Sequence, residues 1–313
     1  MTMMIAGVAD IGGTNTRVAL VDEYGSILKG DRFPTPAGED PLSISAAVSS
    51  SLRRIISESG LPFPAVIGVS VAGPVDLVAG VIHNPPNMPF GIVPIVGPLQ
   101  HTFGCPVEMV NDCLAAVRGE AWVGAGKAYR HMIYITISTG IGGGVWSDGH
   151  ALTGRGGNAA EIGHLPVDTT YLIPCSCERI GHWEGYASGE GIPGFFKKWC
   201  QVHQKNPDFP SGSAAEIISA AEVGKKIALQ FLRELAKINS RGLSAVVVAY
   251  DPEIIILDGP VVTDHQDLIL TPAINLMDDY LPLPVIKISP LQGNAPLIGA
   301  AAAAMKITPG AES

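Results

Sequence analysis

The feature that most constrains the fold is a pattern that occurs in two distant parts of the chain. Residues 5–21 consist of an apolar run, the turn GGTNT and a second apolar run. Residues 132–147 repeat this order as MIYITISTGIGGGVWS. Short apolar runs bounded by glycine are typical of strands joined by tight turns. One such turn alone would fit an ordinary hairpin, but the repeat predicts a duplicated α/β core with a nucleotide between its copies.

Both turns contain residues whose chemistry suits phosphate. Backbone N–H groups and hydroxyls that lack side-chain bulk can cradle phosphate oxygens, and glycine is free to adopt positive φ. The candidate phosphate ligands are Gly12, Gly13, Thr14, Asn15, Thr139 and Gly140. Asp10 ends the first apolar run, where a carboxylate either holds a hydrated magnesium ion or caps the turn.

A segment between the second turn and the C-terminal half has the ligand set of a metal site. Cys175 and Cys177 are separated by one residue, His164 precedes them and His182 follows them. Four nitrogen and sulfur ligands are the number that a closed tetrahedral zinc site requires. The segment therefore predicts bound zinc, and the alternative is a surface loop with incidental thiols.

The same segment contains two isolated carboxylates. Glu161 lies three residues before His164, and Glu184 lies two residues after His182. An ionised carboxylate only accepts hydrogen bonds, so two of them facing a cavity suit a ligand rich in hydroxyl groups, such as a sugar. The alternative is a pair of solvated surface acids.

Three further polar or glycine positions occur at strand ends or in a stiff loop. Asp112 follows Asn111 at the end of a strand predicted for 106–110, where it either caps the next helix or faces a ligand as a catalytic carboxylate. Asn87, in the proline-rich loop 83–91, is either a hydroxyl ligand or a turn former. Gly259 follows a predicted strand and either admits adenine or ribose or simply makes a turn.

Hydrophobic spacing predicts several longer elements. Residues 42–59 and 214–239 have the periodicity of amphipathic helices. The β-branched runs 245–248 and 254–257 predict strands. The sequence IGAAAAAMK near the C-terminus predicts a helix of small residues that packs closely against another element.

Composition excludes several classes of partner. The chain has 313 residues, 47% of them hydrophobic, which allows two domains with cores of their own. The net charge is −9, and no basic cluster exceeds a doublet, so neither nucleic acid nor membrane is an expected partner. Five cysteines, an odd number, favour a reducing compartment, and the N-terminus lacks the basic start of a secretion signal. We expect a cytoplasmic protein.

These motifs together resemble a known family. The stretches that carry the resemblance are DIGGTNTR at 10–17, VAGPVD at 71–76, VNDC at 110–113, TGIGGGV at 139–145, EIGH at 161–164, CSCERIGHWEGYASG at 175–189 and LDGPV at 257–261. In this order they resemble the ROK family of sugar kinases, within the actin-like ATPase superfamily. The resemblance implies an α/β fold of two ribonuclease-H-like domains flanking a cleft. The small domain is expected at 1–116 plus 297–313, and the large domain, with the zinc knuckle, at 117–296.

The resemblance also implies roles for the candidate residues. Asp112 would be the general base on the sugar hydroxyl, and the phosphate turns would bind ATP with Asp10 attending Mg²⁺. Gly259 would line the adenosine site. The other sugar ligands would be Asn87, Asn111, Glu161, His164 and Glu184, so that His164 serves both sugar and zinc.

The metal segment departs from the family pattern at two positions. The family's knuckle usually reads CxCGxxGC, whereas Glu178 replaces the glycine here and His182 replaces the last cysteine. Since imidazole is a competent zinc ligand, we expect a site of two cysteines and two histidines.

The implied activity is transfer of the γ-phosphate of ATP to the 6-hydroxyl of a hexose or N-acetylhexosamine. The stretch EGYASGEG favours N-acetylmannosamine as the substrate, with glucose or a broad range of hexoses as the alternative. An alternative of another class is a sugar-sensing regulator without catalysis. The family's repressors add an N-terminal helix-turn-helix, for which a first strand at Ile5 leaves no room. A homodimer or higher homo-oligomer is expected.

Overall fold

The computed structural model describes residues 3–38, 40–83 and 90–307. Its strands, in chain order, are β1 Ile5–Ile11, β2 Asn15–Asp22, β3 Ile27–Pro34, β4 Val66–Val71, β5 Val75–Asp76, β6 Val81–His83, β7 Ile92–Pro94, β8 Val107–Asn111, β9 Met132–Ile137, β10 Ile141–Ser147, β11 His150–Ala151, β12 Ile254–Asp258 and β13 Val285–Ile288. Its helices are α1 Ser43–Ser59, α2 Val96–Phe103, α3 Asp112–Val123, α4 Trp183–Ala187, α5 Gly191–Val202, α6 Ala214–Glu222, α7 Lys226–Tyr250, α8 Pro260–Thr263, α9 Thr271–Ile274 and α10 Ala295–Ala304. A short 3₁₀ helix covers Ile162–His164, and a π-helical turn covers Gln266–Leu270.

The strands form mixed sheets, which confirms the predicted α/β class. One sheet has the order β3-β2-β1-β4-β8, another the order β11-β10-β9-β12-β13, and β5-β6-β7 form a small third sheet. Strand β1 pairs with β2 antiparallel and with β4 parallel, and β4 pairs with β8 parallel. The register aligns Ile11 with Val71 and Val71 with Asn111. The first glycine turn therefore lies at the same end of the sheet as the C-terminal end of β8.

The chain divides into two compact units. Unit 1 comprises Met1–Tyr134, Gly144–Ala159 and Ser289–Ser313, and unit 2 comprises Ile135–Gly143 and Ala160–Ile288. The domain boundaries expected from the family resemblance, near residues 116 and 297, stay a prediction.

Unit 1 has its core between the sheet and helix α1. The predicted amphipathic helix is confirmed as Ser43–Ser59, and it ends at Gly60, whose φ of 66° is the left-handed conformation favoured at a helix C-terminus. Its apolar residues Val48, Leu52 and Ile55 are completely buried and pack in the same cluster as strand residues such as Leu20. The hydrophobic face of α1 therefore holds the sheet and forms no site.

Helix α10 packs against the sheet and α3 at unusually short range. A Cβ added to Gly299 would lie 1.6 Å from the carbonyl oxygen of Ala115, and one added to Gly68 would lie 2.1 Å from that of Ala300. A Cβ on Gly119 would lie 2.5 Å from the carbonyl oxygen of Ala295. Glycine is required on both sides of this contact because backbone meets backbone, so the small-residue helix packs closely, as its sequence predicted.

Two predictions about the segment 214–250 were wrong. The predicted helix 214–239 is two helices, because Gly224 has φ of 81° and separates α6 from α7. The predicted strand 245–248 is the last part of α7, which continues to Tyr250. Leu243, Val246 and Val247 are buried at helical spacing, so tertiary packing overrides the β propensity of the valines.

Membrane-spanning helices and disulfide bonds are both absent from the described residues. Among them, no helix combines the length and the apolar character needed to cross a membrane. The cysteines within the same ranges form no disulfide.

Candidate active site

The first of the two glycine turns lies in unit 1, between β1 and β2, and its tip is exposed. Gly13 and Thr14 are exposed, and Gly12 donates its N–H to the carbonyl oxygen of Asn15 at 3.1 Å. Neither glycine is among the described residues with positive φ, so the turn does not use that freedom. A Cβ on Gly12 would lie 3.0 Å from the Asn15 carbonyl oxygen. Glycine at position 12 therefore provides room for a tight turn, while position 13 leaves backbone accessible.

Asp10 is held by two partners that the sequence did not single out. Arg17 donates to Oδ2 of Asp10 from Nη2 at 2.7 Å and from Nε at 3.1 Å. Ser70 on β4 donates to Oδ1 at 2.8 Å. Charge-assisted hydrogen bonds of this kind hold a carboxylate in one position. Asp10 is thus a fixed negative charge beside the first turn.

Asn111, and not Asp112, caps helix α3. The Asn111 side-chain oxygen accepts from the backbone N–H groups of Cys113 at 2.9 Å and Leu114 at 3.2 Å. The alternative that Asp112 is the N-cap was therefore wrong. Asp112 is the first residue of α3. Asn111 uses its oxygen for the cap, so it can offer a ligand only its side-chain N–H₂ group.

In unit 2 the second glycine turn is bound to the Glu184 side chain. The N–H of Ile141 donates to Oε2 of Glu184 at 3.0 Å. A Cβ on Gly140 would lie 2.5 Å from the same oxygen, so only glycine permits this approach. The carbonyl of Thr139 accepts from the N–H of Glu190 at 3.3 Å. One predicted phosphate turn and one predicted sugar ligand therefore lie in direct contact.

The four predicted metal ligands form one cluster. The ligand atoms of His164, Cys175, Cys177 and His182 all lie within 4.8 Å of one another. The Cys177 sulfur lies 3.2 Å from Nδ1 of His182, and the Cys175 sulfur lies 3.7 Å from Nδ1 of His164. Tetrahedral zinc with normal bond lengths separates its ligand atoms by roughly 3.3–3.8 Å. The two sulfur–nitrogen separations lie near this range, all four ligand atoms lie within 4.8 Å, and two thiols with two imidazoles are a donor set that suits zinc.

Protonation in the cluster follows from its burial. Burial, and then the neighbouring His164, lower the pKa of His182, which favours the neutral imidazole that binds metals. Burial raises the pKa of the Cys175 thiol. A metal ion would have to displace the thiol proton, so binding should release protons.

Glu178 has a backbone conformation that favours glycine. Its φ is 67°, which is the left-handed region where a side chain costs about 1–2 kcal/mol. The N–H of Glu178 donates to the Cys175 carbonyl at 2.9 Å, and the N–H of Cys175 donates to the Arg179 carbonyl at 2.8 Å. Residues 175–179 therefore form a tight turn with glutamate at a position suited to glycine.

Glu161 lies beside the metal cluster. Its Oε2 is 3.9 Å from Nε2 of His164, and its side chain is 51% exposed. Partial desolvation of the carboxyl raises its pKa, the His164 charge lowers it, and the Glu184 charge adds a further rise. His164 and Glu184 thus lie close enough to affect the pKa of Glu161.

The two remaining predicted site residues are Gly259, expected to line the adenosine site, and Asn87, expected to bind the sugar. Gly259 has φ of 93°, and a Cβ there would lie 2.4 Å from the carbonyl oxygen of Ile137. The turn and the close approach to β9 explain this glycine without a ligand, so its adenosine role stays a prediction. Asn87 lies outside the described residues.

Helix α4 holds Glu184 in a rigid frame. Trp183 is completely buried and donates from Nε1 to the side-chain oxygen of Asn239 at 2.8 Å. A Cβ on Gly242 would lie 2.3 Å from the Trp183 ring, so α7 needs glycine where the indole packs. Tyr186 is also completely buried. The side chains on both sides of Glu184 are thus locked.

Asp168 is a buried acceptor beneath the same helix. It accepts from Tyr186 Oη at 3.1 Å, from the N–H groups of Thr170 and Tyr171 at 2.8 and 2.9 Å, and from Arg241 at 3.0 Å. Burial alone would raise the pKa of Asp168, but the amide and hydroxyl donors outweigh it and the pKa is lowered. Nothing in the sequence pattern indicated this residue.

Replacing Asp168 by asparagine is expected to destabilise the protein by roughly 2–3 kcal/mol near pH 7. Because the folded pKa lies below that of the unfolded chain, the carboxylate stabilises fully above the unfolded value and loses its effect as pH falls through the folded value. Urea unfolding at pH 7, 5 and 3.5 should show a difference that shrinks below about pH 4. Asp208→Asn, at a carboxylate that is 72% exposed, is the control and should leave the midpoint unchanged. A constant difference at all three pH values would contradict the role.

Solved structures of other proteins share this fold. A ROK hexokinase from Thermus thermophilus superposes with a TM-score of 0.81 at 27% identity, over 97% of this chain and 98% of that one. A ROK family glucokinase from Streptomyces griseus, in complex with glucose and AMPPNP, superposes with a TM-score of 0.75 at 29% identity, over 97% and 99%. The chain therefore has the α/β fold of the actin-like ATPases.

Sequence comparisons give the family. The ROK family model matches residues 6–307. A glucokinase from Pyrobaculum calidifontis is 34% identical over 303 residues, which is 95% of this chain and 94% of the relative. An N-acetylmannosamine kinase from Salmonella arizonae is 31% identical over 254 residues, 80% of this chain and 81% of the relative. The chain belongs to the ROK family, as its motifs predicted.

Proposed function

We propose that the protein transfers the γ-phosphate of ATP to the 6-hydroxyl of a hexose, with Asp112 as general base and glucose as the first substrate to test. The family match and the kinase relatives show that the chain is an ATP-dependent sugar kinase. Phosphoryl transfer depends on alignment and charge neutralisation more than on covalent catalysis. The backbone N–H groups of the glycine turns and a magnesium ion attended by Asp10 would neutralise charge, and the carboxylates would align the sugar hydroxyls.

The observation that carries the proposal is the hydrogen bond between the Ile141 N–H and Glu184. It joins a turn suited to phosphate to an acid suited to sugar hydroxyls, within one unit. In unit 1, the sheet register brings the first glycine turn and Asn111–Asp112 to one edge. Each unit thus has a glycine turn close to a carboxylate, and these groups are the ones proposed to bind phosphate and sugar.

The choice of sugar rests on the relatives. The sequence alone favoured N-acetylmannosamine through EGYASGEG at 184–191, but the glucokinase of Pyrobaculum calidifontis matches over more of the chain than the N-acetylmannosamine kinase does. Glucose is therefore the first candidate and N-acetylmannosamine the second. Glu161, His164 and Glu184 would accept from or donate to ring hydroxyls that both sugars share. Asn111 would donate from its side-chain amide.

Two metal ions belong to the proposal. Asp10 would attend the hydrated magnesium ion that accompanies ATP, with Arg17 and Ser70 keeping its carboxylate in place. Zinc, when bound by the two cysteines and two histidines, would supply a structural crosslink that fixes the loop. That crosslink would orient His164, whose other ring nitrogen then remains for the sugar.

Zinc content provides a direct test of the metal site. The purified protein is expected to hold about one zinc per chain, His182→Cys to retain it, and His182→Ala to lose it on dialysis against a chelator. Elemental analysis and the thermal midpoint would be measured together. His150→Ala, at an exposed histidine outside the cluster, is the control. Full zinc in His182→Ala would contradict the ligand set.

A panel of substrates tests the activity and its rival. We expect ATP-dependent phosphorylation in a coupled assay with glucose, N-acetylmannosamine, mannose and N-acetylglucosamine as acceptors, and highest kcat/KM with glucose. A sugar-sensing regulator would bind one of these sugars in calorimetry yet transfer no phosphate. Sugar binding without turnover would therefore reject the kinase proposal and favour the regulator.

A further inference from the structure

The Glu184 carboxylate is anchored by two groups from outside its own helix. Ser176 donates from Oγ to Oε1 at 2.6 Å, and Ile141 donates from its backbone N–H to Oε2 at 3.0 Å. A separation of 2.6 Å is in the range of charge-assisted O–H···O⁻ bonds, which are about twice as strong as neutral ones. The Cys175 sulfur lies farther away, 3.6 Å from Oε1. Each oxygen therefore has one strong, fixed donor.

This anchoring leaves acceptor capacity for a ligand. A carboxylate has about four acceptor positions, two on each oxygen. A glutamate side chain without anchors would lose rotamer freedom when it binds a hydroxyl, and that loss would weaken binding. Because Ser176 and Ile141 already restrict Glu184 in the folded protein, its side chain loses little further conformational entropy when the sugar binds. A group that restricts a ligand-binding side chain in this way raises affinity without touching the ligand.

We propose that Ser176 is a positioning residue for the sugar, acting through Glu184. Its hydroxyl holds Oε1 so that the carboxylate presents its remaining acceptor positions to the sugar hydroxyls. The inference rests on the proposed function, since it takes Glu184 to be a sugar ligand. Ser176 lies between two predicted metal ligands, Cys175 and Cys177. Its side chain is exposed and is not part of the hydrophobic core.

Replacing Ser176 leaves all four predicted metal ligands in place, although its hydroxyl also lies 3.7 Å from the Cys175 sulfur, so zinc content has to be measured for each variant. Ser176→Ala keeps both thiols and the backbone of the knuckle, and Ser176→Thr keeps the hydroxyl. The exposed Ser219 on α6 provides a matched Ser→Ala control in the same unit. An effect on the sugar can thus be separated from an effect on the knuckle.

The first experiment measures sugar affinity by calorimetry, with glucose and N-acetylmannosamine as the probes, alongside coupled kinetics with ATP. Ser176→Ala is expected to raise Kd and KM for the bound sugar about tenfold, the effect of one lost hydrogen bond to a charged group. Ser176→Thr should restore most of the affinity, and Ser219→Ala should match the wild type. Zinc per chain, thermal midpoint and KM for ATP should stay unchanged in all three. A Kd within twofold of the wild type for Ser176→Ala, or a loss of its zinc, would overturn the inference.

A double-mutant cycle tests whether Ser176 acts through Glu184. In a Glu184→Ala background, Ser176→Ala should weaken sugar binding no further, because the hydroxyl then has nothing to position. Glu184→Met, which has a similar length and no oxygen to accept from Ser176, serves the same purpose if the alanine variant melts early. Additive losses would mean that Ser176 acts independently and would reject the proposal.

If the wild type binds sugar but transfers no phosphate, the kinase proposal fails while the Kd comparison still decides the role of Ser176. Failure to bind either sugar overturns both.

Discussion

Replacing Asp112 by asparagine is expected to lower kcat by about 10²–10⁴-fold while leaving the Kd for the sugar nearly unchanged. Asn111 caps α3, so the Asp112 carboxylate is not needed for the helix to begin. Asparagine keeps the shape of the side chain and one acceptor oxygen but cannot act as a base.

Steady-state kinetics and calorimetry with the preferred sugar measure these two quantities. Asp148→Asn is a matched control, since that carboxylate is 69% exposed and pairs with Arg130 at the surface. It should retain full activity. Undiminished turnover in Asp112→Asn would remove the general base from the proposed mechanism, and a large rise in Kd without a change in kcat would make Asp112 a binding residue.

Replacing Gly299 by alanine is expected to destabilise the protein by about 3 kcal/mol and to lower the thermal midpoint by roughly 10 °C. The added Cβ would lie 1.6 Å from the Ala115 carbonyl oxygen, which is a backbone atom and has no rotamer to adopt. Helix α10 would have to move away from α3. That movement would open contacts around Leu297 and Ala300, both of which are buried.

The same substitution elsewhere provides the control. Gly194 lies inside helix α5 and is exposed, and a Cβ there would meet no atom within 4 Å. Gly194→Ala should therefore stabilise the protein by about 0.5–1 kcal/mol through helix propensity. Both variants would be measured by thermal and urea unfolding. A midpoint for Gly299→Ala equal to that of the wild type would contradict the close helix packing.

Local patterns in the sequence predicted much of the fold and of the candidate site. The periodicity of 42–59 was sufficient for α1 because hydrophobic residues on one face identify a buried helix wherever it packs. The metal ligands could be grouped because Cys175, Cys177 and His182 are close in sequence. Their chemistry, together with His164, was enough to suggest the cluster that the structure contains.

The errors arose where the local signal was ambiguous. The valines at 246–248 have high β propensity, yet they continue α7 because the helix buries two of them against its neighbours. Asn111 and Asp112 are both good caps by residue type, and only the backbone geometry shows that Asn111 makes the capping hydrogen bonds. In both cases the decisive contacts involve atoms whose positions a one-dimensional pattern does not specify.

The sequence by itself determined which segments are strands around glycine turns, which residues are suited to bind metal, phosphate or hydroxyls, and which family the chain belongs to. The tertiary structure decided which groups meet: Glu184 with Ser176 and Ile141, Asp10 with Arg17 and Ser70, and Asp168 with Tyr186 and Arg241. Residue type and spacing fix local conformation and burial, whereas a hydrogen bond forms only when two atoms come within about 3 Å. Partners such as Ile141 and Glu184, 43 residues apart, are brought to that distance only by the folded chain.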